Sequence, residues 1–143
     1  MSSFSETCLD ASVVIRFFGT TAPTDTMKDL WREWAEARVT LHAPALLRYE
    51  VVNALHRMRR AGQVSAKGAY QALVKALDTP IVLHNDNQLH VRAFELAAEH
   101  GLPATYDAHY LALAERLDTE FWTADARLAK AVQDRVAWVR LVP

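Results

Sequence analysis

The sequence is poor in cysteine and glycine, and it lacks an apolar run near the roughly 20 residues that span a bilayer. Its single cysteine, Cys8, excludes an internal disulfide framework and fits a reducing compartment. Cys8 lies among apolar residues, which predicts a small core side chain. Residues 1–7 are polar and show no signal-peptide core. We therefore expect a cytoplasmic protein that does not contact membranes.

Several motifs of common enzyme classes are also missing. No G-x-G-x-x-G follows the first strand candidate, which disfavours a dinucleotide-binding domain. No G-x-S-x-G elbow is present for acyl chemistry, and the histidines lack the spacing of a zinc site. The net charge is −1, so contact with a nucleic acid would depend on a local basic patch.

The 143 residues, of which 51% are hydrophobic, suit one domain spanning residues 1–143. Strands are predicted at residues 8–9, 39–42, 81–83, 121–123 and 136–142. Helices are predicted at residues 11–18, 25–37, 44–60, 66–77, 89–100, 106–117 and 126–132, with Pro44 in the first turn of the third and Thr105 capping the sixth. This alternation predicts an α/β fold with a central parallel sheet of four to five strands, covered on both faces.

Four acids stand where such a fold places its ligands, at the carboxyl ends of the strands. Asp10 ends the first strand, and Asp125 follows the 121–123 strand by two residues. Asp107 lies in the first turn of the sixth helix. Glu50 lies within the apolar stripe of the third helix, and burial of a lone carboxylate is costly unless it is paired or bound to a cation.

Taken alone, each acid also fits a purely structural role. Asp10 and Asp125 suit helix N-caps, Asp107 complements a helix dipole, and Glu50 suits an extended side chain reaching solvent from the edge of the stripe. Convergence of all four on one edge of the sheet favours a site instead. Clustered carboxylates need a compensating cation, and an all-oxygen set suits Mg²⁺ or Mn²⁺.

Four stretches carry these acids: LDASV at residues 9–13, APALLRYEVVNAL at 43–55, TYDAHYLALA at 105–114 and TADARL at 123–128. They resemble the four signature blocks of the PIN domain, specifically those of VapC toxins. The blocks occur in family order and at family-like spacing over nearly the whole chain. The resemblance implies a three-layer α/β/α PIN-like fold and a Mg²⁺- or Mn²⁺-dependent endoribonuclease. It also implies a tRNA or rRNA substrate, a homodimer and a neutralising VapB-like antitoxin.

Carried over by position, the resemblance assigns the catalytic and metal-binding roles to Asp10, Glu50, Asp107 and Asp125, with Ser12, Asn53 and Thr123 as supporting hydrogen-bonding groups. It implies that Asp10 and Asp107 bind the metal directly. Glu50 binds it through water or orients the attacking water. Asp125 completes the anionic pocket.

The densest basic patch comprises Arg57, Arg59, Arg60 and Lys67. It fits either a solvated helix face or a set of RNA phosphate contacts, and Arg16 and Arg48 leave the same two alternatives open.

Two other functions are alternatives to the ribonuclease. One is a catalytically inactive PIN-like module that grips a basic partner peptide. The other is a DNA-directed nuclease, which the small size of the chain disfavours.

Overall fold

Five short strands alternate with seven helices in the computed structural model, which describes residues 5–19, 22–133, 136 and 138–142. The strands are β1 (Glu6–Leu9), β2 (Thr40–Pro44), β3 (Ile81–His84), β4 (Phe121–Thr123) and β5 (Val139–Leu141). The helices are α1 (Ala11–Phe18), α2 (Asp25–Glu36), α3 (Leu46–Arg60), α4 (Ala66–Asp78), α5 (Asn87–Glu99), α6 (Tyr106–Leu117) and α7 (Ala126–Val132).

All strand pairs in the sheet are parallel, in the order β3-β2-β1-β4-β5. The central strand β1 pairs with β2 on one side, where Cys8 is opposite His42, and with β4 on the other, where Cys8 is opposite Phe121. The predicted parallel sheet is confirmed, and it has five strands, the larger of the two numbers predicted. Because the strands are parallel, their carboxyl ends lie along one edge.

The helices form two groups around this sheet. Helices α1, α3 and α4 pack against one another, while α5 packs against α6, and α6 also contacts β1, β2 and β4. Residues 110–114 of α6 are all buried, as is typical of a helix that is apolar around its circumference. The expected three-layer α/β/α fold is therefore confirmed.

The boundaries around Pro44 differ from the sequence prediction. Pro44 is the last residue of β2, and α3 begins at Leu46. Parallel pairing reaches this point, since Pro44 is opposite His84 and the Ala45 amide donates to the His84 carbonyl at 2.8 Å. Proline tolerates a strand end because its fixed φ fits extended backbone and no ladder donor is needed there.

Two further predictions need correction. Thr105 occupies the N-cap position of α6, but its hydroxyl makes no capping hydrogen bond because its backbone is already helical, with φ −92° and ψ −6°. The last strand covers Val139–Leu141 instead of residues 136–142. Position 137 of that predicted strand, and residues 1–4 of the polar start, lie outside the described residues.

Cys8 is fully buried in β1, and this burial raises the pKa of its thiol to about 12. The prediction of a core cysteine is confirmed. Within the described ranges, no helix has both the length and the apolar character needed to traverse a bilayer.

Candidate active site

Asp10 and Asp125 lie at the carboxyl ends of the neighbouring strands β1 and β4. Each caps the helix that follows. The Asp10 carboxylate accepts the amides of Ser12 at 3.0 Å and Val13 at 3.3 Å. The Asp125 carboxylate likewise accepts hydrogen bonds from the amides of Arg127 at 3.0 Å and Leu128 at 3.3 Å, in the first turn of α7. The capping role predicted for both acids is therefore real, and it fixes both side chains at the sheet edge.

Ser12 and Thr123 join the two acidic segments. The Thr123 hydroxyl donates to Asp10 Oδ2 at 2.6 Å and accepts the Asp125 amide at 3.0 Å. The Ser12 hydroxyl donates to Asp10 Oδ1 and accepts the Ala124 amide at 2.8 Å. Two of the three side chains predicted to support the acids thus contact them directly.

Asp10 is a buried carboxylate with only 6% of its surface exposed. Burial raises its pKa to about 6, against the opposing effect of hydrogen bonds from Ser12, Thr123 and Val13. The negative charge of Asp107 raises this pKa further. Hydrogen bonds from neutral donors therefore leave much of the negative charge of Asp10 uncompensated.

Glu50 is half-buried on α3, where its Oε1 accepts a 2.5 Å hydrogen bond from the hydroxyl of Tyr110 on α6. Burial raises the pKa of Glu50, the Tyr110 hydrogen bond lowers it, and the charge of Asp107 raises it. Burial and the neighbouring charge of Glu50 raise the pKa of Tyr110 well above its usual value. Tyr110 was not among the residues predicted from the sequence. Its position three residues after Asp107, on the same face of α6, was the available signal.

Asp107 connects the acids electrostatically. It is half-buried in the first turn of α6, and both burial and the charge of Asp125 raise its pKa. Asp107 in turn raises the pKa values of Asp10 and Glu50. The structure therefore brings all four predicted acids close enough to influence one another. We call these residues, Asp10, Glu50, Asp107 and Asp125, the acid cluster.

The acid cluster has no cationic partner in the part of the chain that the structure describes, because none of its members pairs with Lys or Arg. Over the same residues, no three His, Cys, Asp or Glu side chains form a preassembled metal-binding group. Mg²⁺ does not require one, since it usually binds one or two carboxylates and completes its shell with water and substrate phosphates. The hard carboxylate oxygens of the cluster and the raised pKa values of Asp10, Glu50 and Asp107 fit such an ion.

Asn53, the third residue predicted to support the acids, follows Glu50 by three positions on α3. Asn53 is exposed on α3 and lines a cavity of about 390 Å³ with Arg48, Tyr49, Val52 and His56. Among the described residues, it makes no hydrogen bond to the cluster. Its supporting role stays a prediction.

The basic residues form a separate exposed surface at the far end of α3. Arg57, Arg59 and Arg60 lie in the last turn of α3, and Lys67 lies in the first turn of α4. Arg57 follows Glu50 by seven residues, which places it roughly 10 Å further along the helix axis. Arg16 is exposed near the end of α1.

Comparison with known protein families agrees with this geometry. The family model of the PIN domain matches residues 7–133, which include all four acids. The chain belongs to the PIN-domain family. In this PIN domain, the matched region runs from β1 through α7, so it includes both the first acid, Asp10, and the last, Asp125.

Its relatives identify the subgroup. The chain is 37% identical to Ribonuclease VapC3 of Mycobacterium tuberculosis over 95 residues, covering 66% of the chain and 67% of that relative. It is 30% identical to Ribonuclease VapC3 of Pyrobaculum aerophilum over 124 residues, covering 85% of the chain and 91% of the relative. The crystal structure of PAE2754 from Pyrobaculum aerophilum superposes with a TM-score of 0.66 at 28% identity, covering 88% and 85% of the two chains. The resemblance to VapC-type PIN domains is confirmed.

Proposed function

We propose that this PIN domain is a Mg²⁺- or Mn²⁺-dependent endoribonuclease of the toxin type, neutralised by a VapB-like antitoxin. The main observation is the acid cluster, in which burial and neighbouring negative charge raise the pKa values of Asp10, Glu50 and Asp107, and no member pairs with Lys or Arg among the described residues. The names of the two VapC3 relatives, both ribonucleases, support the proposal.

In this proposal Asp10 and Asp107 hold the metal directly, and Asp125 completes the anionic pocket. A bound Mg²⁺ would supply Lewis-acid stabilisation of the phosphate and a more acidic water. Ser12 and Thr123 keep Asp10 oriented, because each donates to a different oxygen of its carboxylate. A fixed carboxylate reduces the rearrangement needed when a ligand binds.

Glu50 orients the attacking water and takes its proton in this scheme. The water oxygen bonds to phosphorus, the bond from phosphorus to the leaving ribose oxygen breaks, and solvent protonates that oxygen. Burial raises the pKa of Glu50 above its ordinary value, which makes its carboxylate a better proton acceptor. The Tyr110 hydroxyl holds Glu50 in place through the 2.5 Å hydrogen bond.

We assign the substrate as RNA, with tRNA or rRNA as the target. Arg57, Arg59, Arg60 and Lys67 would contact its phosphates. All four are exposed, the three arginines on the helix that carries Glu50 and Lys67 at the start of the next helix. Such contacts position a backbone without reading its sequence. Cytoplasmic location follows from this substrate as an expectation.

We further propose a homodimer and an antitoxin contact. Val91 and Phe94 of α5 are 60% and 75% exposed, which supports a protein interface on this helix. The uncompensated charge of the acid cluster would attract an Arg or Lys side chain of the antitoxin, which would replace the charge of the metal and block RNA. A complex with no cationic antitoxin side chain near the cluster would contradict this inhibition model.

The test is cleavage of a broad RNA panel by the purified chain in Mg²⁺ and in excess EDTA. We expect cleavage only with the metal, and its loss in Asp10→Asn or Asp107→Asn variants that remain folded. An inactive binding module predicts equal, negligible cleavage in both conditions. The full set of four acids disfavours that alternative, because a binder needs negative charge but not this arrangement.

A further inference from the structure

A cavity of about 370 Å³ opens beside the acid cluster, at the carboxyl ends of β2 and β3. In the sheet order β2 is next to β1, whose carboxyl end carries Asp10, and β4 with Asp125 lies on the other side of β1. The aromatic and polar side chains of its lining are Tyr49, His84, Asn85, His90, Tyr106 and His109. A volume of this size falls within the roughly 300–1,000 Å³ typical of small-ligand pockets.

Two exposed tyrosines border the cavity. Tyr49 is 75% exposed and directly precedes Glu50 on α3, while Tyr106 is 62% exposed and directly precedes Asp107 on α6. Each ring is therefore attached to the same helical turn as a member of the acid cluster. Exposed aromatic rings are the surfaces on which proteins stack unpaired bases.

Linked histidines stiffen the wall of the cavity. Nδ1 of His109 lies 2.7 Å from the Thr105 carbonyl, which only accepts hydrogen bonds, so Nδ1 carries the proton. In the neutral ring Nε2 then accepts from Nδ1 of His90 at 2.9 Å. The side-chain amide of Asn85 in turn lies 3.2 Å from His90 Nε2. Because the neutral His90 ring carries its proton on Nδ1, Nε2 accepts here, and the amide donates to it through its NH2 group. This network joins α5 to the first turn of α6, which carries Tyr106.

The cavity also offers unused polar atoms. The Asn85 amide faces His90 with one of its two polar ends, and among the described residues its other end makes no hydrogen bond. His84 uses Nε2 toward His42 at 3.0 Å, which leaves its Nδ1 without a partner in the same set. An amide and an imidazole together match the donor and acceptor atoms on the edge of a base.

We propose that this cavity binds one unpaired nucleobase of the RNA, with Tyr49 and Tyr106 as stacking surfaces and His84 and Asn85 as contacts to the base edge. The inference depends on the proposed function, because it takes RNA as the substrate. The base belongs to a nucleotide flanking the cleaved bond, since the cavity adjoins the acid cluster along the same sheet edge. Cleavage is then confined to loops and single strands, where a base is free to leave its stack.

The test uses short unstructured oligoribonucleotides in which each nucleotide in turn is replaced by an abasic one. Binding is measured by fluorescence anisotropy in EDTA, so that no cleavage occurs. We expect one abasic position to weaken binding to the natural chain by roughly 5- to 150-fold, the loss of one stacked base. Tyr49→Ala and Tyr106→Ala should remove this position-specific loss. Tyr49→Phe should retain it.

Tyr70→Ala is the matched control, because Tyr70 is 68% exposed on α4 and does not line the cavity. It should leave the abasic profile unchanged. Circular dichroism checks folding, and Tyr106→Phe, which keeps the ring, provides a second measurement if an alanine variant fails to fold. An abasic profile that is flat, or that survives both alanine variants, overturns the proposal. The proposal is also overturned if Tyr49→Ala and Tyr106→Ala change the oligomeric state but leave the abasic profile unchanged. That result would mean that the cavity contacts a second copy of the chain.

Cleavage of the same oligonucleotides in Mg²⁺ separates this proposal from the proposed function. Metal-dependent cleavage with a flat abasic profile would contradict the base-binding cavity and leave the nuclease standing. A profile that depends on Tyr49 and Tyr106, without any metal-dependent cleavage, would support the cavity and contradict the nuclease.

Discussion

The Tyr110 hydroxyl lies 2.5 Å from Glu50 Oε1 and joins two helices whose contacting residues are 60 positions apart in the chain. Tyr110 is buried, whereas Glu50 is half-buried at the edge of the acid cluster. The hydrogen bond stabilises the charged form of Glu50 against the burial that disfavours it. Both the position and the protonation of Glu50 therefore depend on Tyr110.

Replacing Tyr110 with phenylalanine should lower RNA cleavage by roughly 10- to 100-fold, the usual effect of losing a group that orients a site carboxylate. The pKa of Glu50 should rise, so the acid limb of the pH–rate profile should move to higher pH. Stopped-assay rates between pH 5 and 8 measure both effects. Tyr70→Phe, an exposed tyrosine, is the control. An unshifted acid limb would contradict the role of the hydrogen bond.

Asp107→Asn should abolish cleavage without harming the fold. Removing its charge relieves repulsion with Asp10 and Glu50, so the free energy of unfolding should stay equal or rise by about 1 kcal/mol. Activity should fall by more than roughly 100-fold, because the proposed mechanism makes Asp107 a direct metal ligand, and loss of a ligand costs more than loss of a group that only orients one. Urea unfolding and RNA cleavage are measured together, with the exposed Glu95→Gln as control. Natural turnover in a clean Asp107→Asn preparation would refute the assignment.

The stability of the metal-free protein should decrease as pH rises from 5 to 7. Asp10 has a pKa of about 6 in the folded state against an ordinary 3.8, so the folded state binds this proton more tightly. The resulting stabilisation is complete below about pH 4 and is lost as pH rises through 6, a total of about 3 kcal/mol.

Urea unfolding in EDTA across this pH range measures the effect, and Asp10→Asn should flatten the dependence. Adding Mg²⁺ at pH 7 should restore stability, because a ligand that binds only the folded state stabilises it. Stability that climbs with pH in EDTA would be the wrong sign for a buried carboxylate.

Cys8 should resist alkylation in the native protein. It is fully buried, and its pKa of about 12 leaves little thiolate at pH 8. Iodoacetamide at pH 8 should label it only in denaturant, as intact mass would show. Rapid labelling of the native chain would mean that the central strand opens far more often than its burial indicates.

The basic surface should affect RNA affinity without affecting sequence preference. Alanine at Arg57 or Arg60 should weaken binding of all single-stranded RNAs alike, and each should reduce the salt-dependence slope by about 0.7. Affinity titrations at several salt concentrations measure this, with Arg32→Ala on α2 as control. If the salt-dependence slopes do not change, these arginines do not contact RNA phosphates and are only a solvated face of the helix.

The sequence was sufficient to predict the fold and the meeting of the acids. Both follow from one rule, because parallel strands align their carboxyl ends, and Asp10 and Asp125 each follow a strand directly. Glu50 was detected as a carboxylate inside an apolar stripe. The structure brings these residues together, while the chemical roles assigned to them remain predictions for experiment.

Side-chain contacts between different helices could not be predicted from the sequence. No periodicity in one chain indicates that Tyr110 reaches Glu50 or that His90 reaches His109, since such pairs depend on how helices pack. The two hydrogen bonds of His109, to His90 and to the Thr105 carbonyl, are not indicated by the spacing of the histidines. The end of β2 was misplaced because proline at position 44 suits both a first helical turn and a strand end.

The Thr123–Asp10 hydrogen bond spans 113 positions of the chain. A nascent chain of one hundred residues carries Asp10 and Glu50 but lacks Asp107, Asp125 and the hydroxyl of Thr123. During synthesis the acid cluster therefore cannot form until both distant segments have left the ribosome and β4 has paired with β1.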